Sequence, residues 1–417
     1  MTDQFPRPKA PGHIKDLGIE LGLLQNLALK TLYYEGSTTA DAIARRIALP
    51  LSPAVEILDS VRKERLCEIL GSESEGAGGY RYALTNAGLT RVLSALEQSG
   101  YAGPVPVPLT AYIDSIKKQS IRTVKVTRTD IERSLSRMVL DQHTVDLIGQ
   151  ALQSERAMLL YGDTGNGKTS IAECLREVLP GHMLIPHAIE VMHQVIQLYD
   201  PSTHEILDVD GSAGEHDRRW IAIRRPVVFA AAELAASHLE LIRDDVNKTY
   251  EAPIQLKANG GIMVIDDFGR QQLDAAYLLN RWIVPLENGI DHLSLANGAR
   301  FQVPFDSIPL FVTNNRPAEL ADDAFLRRIR YKIEIPGPTE TMFLEILRRE
   351  CARNEVAYDD AAAHHMLKVY FKDAGRPLRG CNPRDLVEAI ADAARYRGAE
   401  RALNERTIRE AAASYFV

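Results

Sequence analysis

The sequence is poor in aromatic residues, at 6%, with two tryptophans and four cysteines among 417 residues. The cysteines (Cys67, Cys174, Cys351, Cys381) lie far apart and form no CxxC pair. That spacing suits reduced thiols in a cytoplasm rather than a disulfide framework or a zinc knuckle. Long apolar runs are missing: the most apolar stretch, Val227 to Ala236, is short and contains Glu233, so no membrane-spanning helix is expected. The opening MTDQFPRPKAPG carries Asp3 and three prolines and no apolar signal core, and a cytoplasmic location is expected. Positive charge is not in excess. The 49 Lys+Arg face 56 Asp+Glu, a net charge of −7, which argues against a surface built to coat nucleic acid. No HExxH and no nucleophile elbow is found. His364 and His365 are adjacent on a helix and cannot both face one metal, while His204, His216 and His238 are scattered. What remains is an ordinary globular mixture, 45% apolar and 25% charged, long enough for two or three domains of roughly 150 residues.

The pattern along the chain predicts an α/β protein. Residues 1–14 read as a disordered lead-in. Residues 15–98 read as a small winged-helix-like α+β domain: helices over 17–34, 38–47 and one capped by Ser52, then a two-stranded hairpin ending at Tyr80–Leu84, then a helix capped by Thr85. Residues 99–110, rich in proline, read as a linker. From residue 111 to 337, strand-like runs (Met158–Tyr161, Ile262–Ile265, Pro309–Thr313, Lys332–Ile335) alternate with helical patterns, which predicts a parallel sheet flanked by helices. Residues 338–417 are helical only. Within the core, the polar stretch 199–225 reads as an inserted hairpin around Gly211 and Gly214. Its Tyr199 and Trp220 read as packing residues, and Arg218-Arg219 and Arg224-Arg225 as a basic patch on a solvated hairpin.

The strongest chemical signal follows Tyr161. Gly162-Asp163-Thr164-Gly165-Asn166-Gly167-Lys168-Thr169 fits GxxxxGK[ST], with a strand before it and a helix from Ser170 after it. The three glycines let backbone N–H groups converge on phosphate oxygens, and the helix N-terminus adds partial positive charge. Lys168 reaches the β- and γ-phosphates, and the Thr169 hydroxyl can ligate Mg²⁺. Further on, four apolar residues end in Asp266-Asp267. A buried parallel strand places such acids at the ligand edge of its sheet. Asp266 can then hold the Mg²⁺ shell and Asp267 can orient or deprotonate the attacking water.

With these motifs in order, residues 130–395 resemble an AAA+ ATPase, which implies ATP and Mg²⁺ as ligands. Phe311-Val312-Thr313-Asn314-Asn315 resembles the family's sensor 1, a strand between the two phosphate-site strands. Asn314, or else Asn315, would touch the water or the γ-phosphate. Ala324-Phe325-Leu326-Arg327-Arg328-Ile329 resembles the arginine-finger turn that completes a neighbouring subunit's site, with Arg328 the first choice and Arg327 the second. Apart from the resemblance, both read as a solvated basic face beside Asp322 and Asp323. Asn382-Pro383-Arg384-Asp385-Leu386 resembles sensor 2. Read by itself, Asn382 caps a helix, and Arg384 stands in its first turn, where a cation is disfavoured by about 0.3–1 kcal/mol unless an anion faces it. An exposed pair with Asp385 is the alternative. Where the family's second strand acid is Glu, this chain has Asp267, and Asp266-Asp267-Phe268-Gly269 resembles the helicase-loader and initiator branch. The resemblance implies a homo-oligomer, a hexamer in the family's usual form, that remodels or assembles a macromolecular partner.

The N-terminal residues 1–100 hold 11 Lys+Arg and 12 Asp+Glu, few cations for phosphate contacts. A protein partner is therefore expected there rather than DNA, and deleting the module is expected to spare ATP turnover. The competing reading is an ATP-gated winged-helix DNA-binding regulator with little turnover.

Overall fold

The computed structural model describes residues 7–207, 216–320 and 326–416. Five strands, Met158–Tyr161, Val227–Ala230, Ile262–Ile265, Ile308–Val312 and Tyr331–Glu334, form one sheet with every neighbouring pair parallel. Their spatial order starts with Val227–Ala230 and continues with Ile262–Ile265, Ile308–Val312, Met158–Tyr161 and Tyr331–Glu334. Four of the strands lack polar alternation because helices cover both faces; the edge strand Tyr331–Glu334 alternates, with Lys332 and Glu334 exposed and Ile333 buried. Ile148, Leu152, Ile171 and Leu175 pack on one face, and Leu278, Leu279 and Trp282 on the other. Ile262, Met263, Val264 and Ile265 are all fully buried, and each such side chain contributes roughly 1.5–3 kcal/mol. Parallel strands end at a common edge, so the segments after Tyr161, Ile265 and Val312 meet there.

The C-terminal region is helical. Helices Glu340–Arg353, Asp360–Leu367, Cys381–Arg397 and Glu405–Tyr415 close on their own core of Phe343, Leu347, Phe371, Leu386 and Ile390. The N-terminal elements run in the order helix Leu21–Glu35, strand Thr38–Thr39, helices Ala40–Arg46 and Leu51–Lys63, strands Cys67–Ser72 and Tyr80–Leu84, and helix Asn86–Gln98. Tyr80–Leu84 lies between the other two strands. Thr85 caps the last helix through Gly88 N at 3.1 Å. The third helix starts at Leu51 after Pro50, without a side-chain cap from Ser52.

Two segments differ from the sequence expectation. The stretch 99–110 is not a free tether. Tyr101, Val105 and Val107 are buried, and Val107–Pro108 pairs in parallel with Ala188–Val191. Its apolar residues give it an inward face that its prolines do not prevent. The insertion is also larger than one hairpin. Ile242–Asp244, Thr249–Glu251, Gln194–Gln197, Ala188–Val191 and Val107–Pro108 form a second five-stranded sheet. Trp220–Arg224 pairs antiparallel with His182–Pro186 on one side. On the other, residues 205–207 lie antiparallel to it through Leu207 N to Ala222 O and Arg224 N to Glu205 O, both 2.9 Å. Gly211 and Gly214 fall outside the described residues, as do residues 1–6 of the lead-in.

This second sheet shares a core with the N-terminal helices, since Ala188 and Val195 pack with Leu17, Leu24 and Leu27. Arg219, expected on a solvated hairpin, and the nearby Asp217 are 6% and 5% exposed. Their ion pair at 2.8 Å sits where Arg219 Nη1 also reaches Leu17 O and Pro106 O, each at 3.4 Å. A buried pair of this kind costs desolvation and is kept where its hydrogen bonds are satisfied. Arg225 is 1% exposed and donates to Gln119 O and Gly260 O, so the basic patch reduces to Arg218 and Arg224. Tyr199 and Trp220 pack half-buried against the inserted sheet.

Candidate nucleotide-binding site

The loop after Tyr161 takes the shape its glycines permit. Gly162, Gly165 and Gly167 have φ of 136°, 87° and 83°, which L side chains rarely adopt. Space forbids a side chain as well: a Cβ on Gly162 would stand 2.6 Å from Ile335 O, and one on Gly165 2.6 Å from Cys381 Sγ. The helix Lys168–Cys174 follows at once. Lys168 is 5% exposed, and its Nζ donates to Gly162 O and Asp163 O, both at 2.9 Å. Burial pushes its amine below the ordinary lysine value, against the opposing pull of Asp163, Asp266 and Asp267. The ammonium is thus already largely stripped of water and ringed by acceptors, the state in which an added phosphate is attracted most strongly. Asp163, Thr164 and Ser170 are exposed on the loop and the first helical turn.

The acids after Ile265 face this loop. Thr169 Oγ1 donates to Asp266 Oδ1 at 3.3 Å, and the same oxygen accepts from Asp267 N at 2.8 Å. Asp267 is exposed, with φ of 51°; this left-handed turn swings its carboxylate away from the strand direction. Val312 O and Thr313 brace the turn, through Phe268 N to Val312 O and Thr313 Oγ1 to Phe268 O, both 2.8 Å. The strand leading to Asn314 sits between the two strands that carry the loop and the acids.

These groups line one cleft of about 1190 Å³, ample for a nucleoside triphosphate. Thr164 through Ser170, Asp266, Asp267, Asn314 and Arg384 all border it, while Asn315 does not. Arg384 pairs with Asp385 Oδ1 through Nε and Nη2 at 3.0 and 2.9 Å, the alternative to a phosphate contact, and it does so at the cleft's border. Its helix starts at Cys381, two residues earlier than an Asn382 cap implies. Asn382 is instead buried, and its Oδ1 accepts from Arg379 N. The C-terminal helical region, a lid over the cleft, touches the loop directly: Cys381 N donates to Gly165 O at 2.8 Å, and Gly380 N donates to Asn166 Oδ1 at 3.4 Å.

Arg327 and Arg328 do not border this cleft. Arg327 is exposed, and Arg328 pairs with Glu287 at 2.7 Å on the helix Ala275–Asn288. Ala324, Phe325, Asp322 and Asp323 lie outside the described residues. Thr169 and Asp266 supply two oxygen donors, which suits Mg²⁺, a cation completed by phosphate and water rather than by a protein cage. No group of three or more His, Cys, Asp or Glu placed to hold a metal is found among the described residues.

Sequence reasoning missed one wall. Met138, Val139, Leu140, Met342 and Ile346 border the cleft, and Met138 Cε lies 2.9 Å from where a Cβ on Gly167 would stand. These apolar groups offer a face for a planar base beside the phosphate loop.

The arrangement defines a P-loop parallel sheet with a helical C-terminal region over its ligand edge. Comparison with known proteins finds a domain of unknown function, DUF8689, over residues 339–414, the lid helices. Among solved structures, the chain is similar to NtrX from Brucella abortus, at 11% identity and TM-score 0.42, over 67% of this chain and 56% of that one. It is also similar to the Thermotoga maritima RuvB Holliday junction branch migration motor, at 14% identity and TM-score 0.36, over 69% of this chain and 70% of that one. The match therefore spans little more than half of the NtrX chain. No curated protein matches. No helix among the described residues is long and apolar enough to cross a membrane.

Proposed function

We propose that this chain is a Mg²⁺-dependent ATP hydrolase of the AAA+ kind. The observation that carries the reading is the meeting of Lys168, Thr169, Asp266, Asp267, Asn314 and Arg384 on one cleft, from four separate stretches of chain. The loop N–H groups and Lys168 hold the phosphates, and the base rests against Met138–Leu140. Thr169 and Asp266 hold Mg²⁺, which would supply charge neutralisation between the phosphates. Asp267 takes the proton of the attacking water, Asn314 orients that water, and Arg384 senses the γ-phosphate from the lid.

Arg328, or Arg327 beside it, is assigned to the site of a neighbouring copy, because both stand away from their own cleft. That assignment makes the working form a ring or spiral oligomer acting on a macromolecular partner. The N-terminal module follows the winged-helix order of elements, and its acidic hairpin residues Glu73 and Glu75 favour a protein partner there. The test is phosphate release from ATP with and without Mg²⁺. The wild-type protein is expected to turn over with Mg²⁺ only, and the Lys168→Ala protein not at all. Equal release by both proteins would sink the assignment.

A further inference from the structure

The N-terminal end of the Cys381–Arg397 helix carries more chemistry than a single arginine needs. Asp385 Oδ1 accepts from Nε and Nη2 of Arg384. Its other oxygen, Oδ2, accepts from the Tyr415 hydroxyl at 3.0 Å, thirty residues further along the chain. The Tyr415 oxygen in turn accepts from Asn382 Nδ2 at 2.9 Å, and Asn382 Oδ1 accepts from Arg379 N at 2.8 Å. Since an ionised carboxylate only accepts and an amide nitrogen only donates, every donor in this chain has one direction. Burial raises the Tyr415 phenol to about 12, so the hydroxyl keeps its proton at neutral pH. The Tyr415 ring is seated against Phe416 at 4.9 Å between centroids. The carboxylate is anchored at both oxygens, and it grips one edge of the guanidinium. The Nη1 end of that guanidinium carries none of these bonds, and Arg384 borders the cleft.

We propose that Asp385 and Tyr415 are positioning residues that hold Arg384 with its Nη1 end ready for a γ-phosphate, and so set the preference for a nucleoside triphosphate over a diphosphate. This rests on the reading of the cleft as an ATP site. A long arginine at the cleft edge, half exposed, would otherwise sample many rotamers. Holding one edge by a fixed carboxylate removes that freedom before ligand arrives.

The experiment measures binding of the full chain to fluorescent ADP and to a non-hydrolysable triphosphate analogue, both with Mg²⁺. The readout is the ratio of the two affinities. Arg384→Ala sets the floor. Asp385→Ala and Tyr415→Phe are each expected to lower the ratio by roughly two- to tenfold, with ADP affinity unchanged. The double variant Arg384→Ala/Asp385→Ala is expected to match Arg384→Ala alone, because both changes act on one interaction. Wild-type ratios in Asp385→Ala and Tyr415→Phe, with Arg384→Ala lowered, would overturn the relay. So would an equal loss of both ligands in Tyr415→Phe, which signals a general lid defect. An unchanged ratio in Arg384→Ala itself would instead overturn the phosphate role of Arg384, and the relay with it.

Discussion

Lys168 is buried yet bonded only to loop carbonyls, so it serves a ligand better than a core. Replacing it by alanine removes charge-assisted hydrogen bonds to phosphate and leaves the sheet intact. Equilibrium binding of labelled ATP should weaken at least about tenfold while the far-UV spectrum is unchanged; unaltered affinity would contradict the phosphate site. The two strand acids separate by contact. Asp266 bonds Thr169, so Asp266→Asn should raise the Mg²⁺ concentration needed for turnover. Asp267 bonds neither Thr169 nor Lys168 and faces the cleft, so Asp267→Asn should bind Mg·ATP normally and hydrolyse it roughly a hundredfold more slowly. Turnover at the wild-type rate by both variants would show that this strand end is misread. Residues of this kind are legible in sequence because the chemistry demands them in a fixed order: glycines for a positive φ, then lysine, then hydroxyl. Met138, Val139 and Leu140 were not, since three apolar residues in a row look the same whether they face a core or a base.

Among elements, Met158–Tyr161, Ile262–Ile265 and Pro309–Thr313 were easy to read, because a parallel sheet covered on both sides selects unbroken apolar runs; Val227–Ala230, equally apolar, was passed over as a strand because its apolar run continues to Ala236 without a turn signal. The stretch 99–110 was misread because its prolines outweighed the inward spacing of Tyr101, Val105 and Val107. One consequence is Lys30, 4% exposed on the helix Leu21–Glu35, which donates to Ser99 O and Tyr101 O of that stretch. No carboxylate is among its partners, and burial pushes its amine down to about 8 from 10.5. Above pH 8 the folded protein sheds this proton while the unfolded chain keeps it. The Lys30 contribution to stability therefore rises with pH across the window from about 8 to 10.5 and is flat below it. Comparing urea midpoints of wild type and Lys30→Met cancels the other groups. The difference should move in favour of wild type as pH rises through that window, and a constant difference would contradict the buried, uncompensated amine.

At the scale of the molecule, the N-terminal module, the 99–110 segment and the inserted sheet share buried surface, so the module is no detachable recruiter. Its removal would bare Ala188 and Val195 and strip Arg219 of Leu17 O. A chain lacking residues 1–98 should melt at lower temperature and bind an apolar dye, and melting like the full chain would contradict the shared core. The expectation that such a deletion spares turnover holds only as far as the remainder stays folded. The central claim of the account is that ATP is hydrolysed in a cleft finished by a second copy. Arg328→Ala should bind ATP normally, since Arg328 lies off the cleft and its Glu287 pair is of the surface kind that contributes little, yet lose turnover, by up to about 10³-fold. The most direct measurement mixes Arg328→Ala with Lys168→Ala and follows phosphate release across the mixing ratio. The account predicts activity that neither protein has alone, highest at intermediate ratios, where an intact loop meets an intact arginine. Mixtures that assemble but stay as inactive as their parts would contradict it.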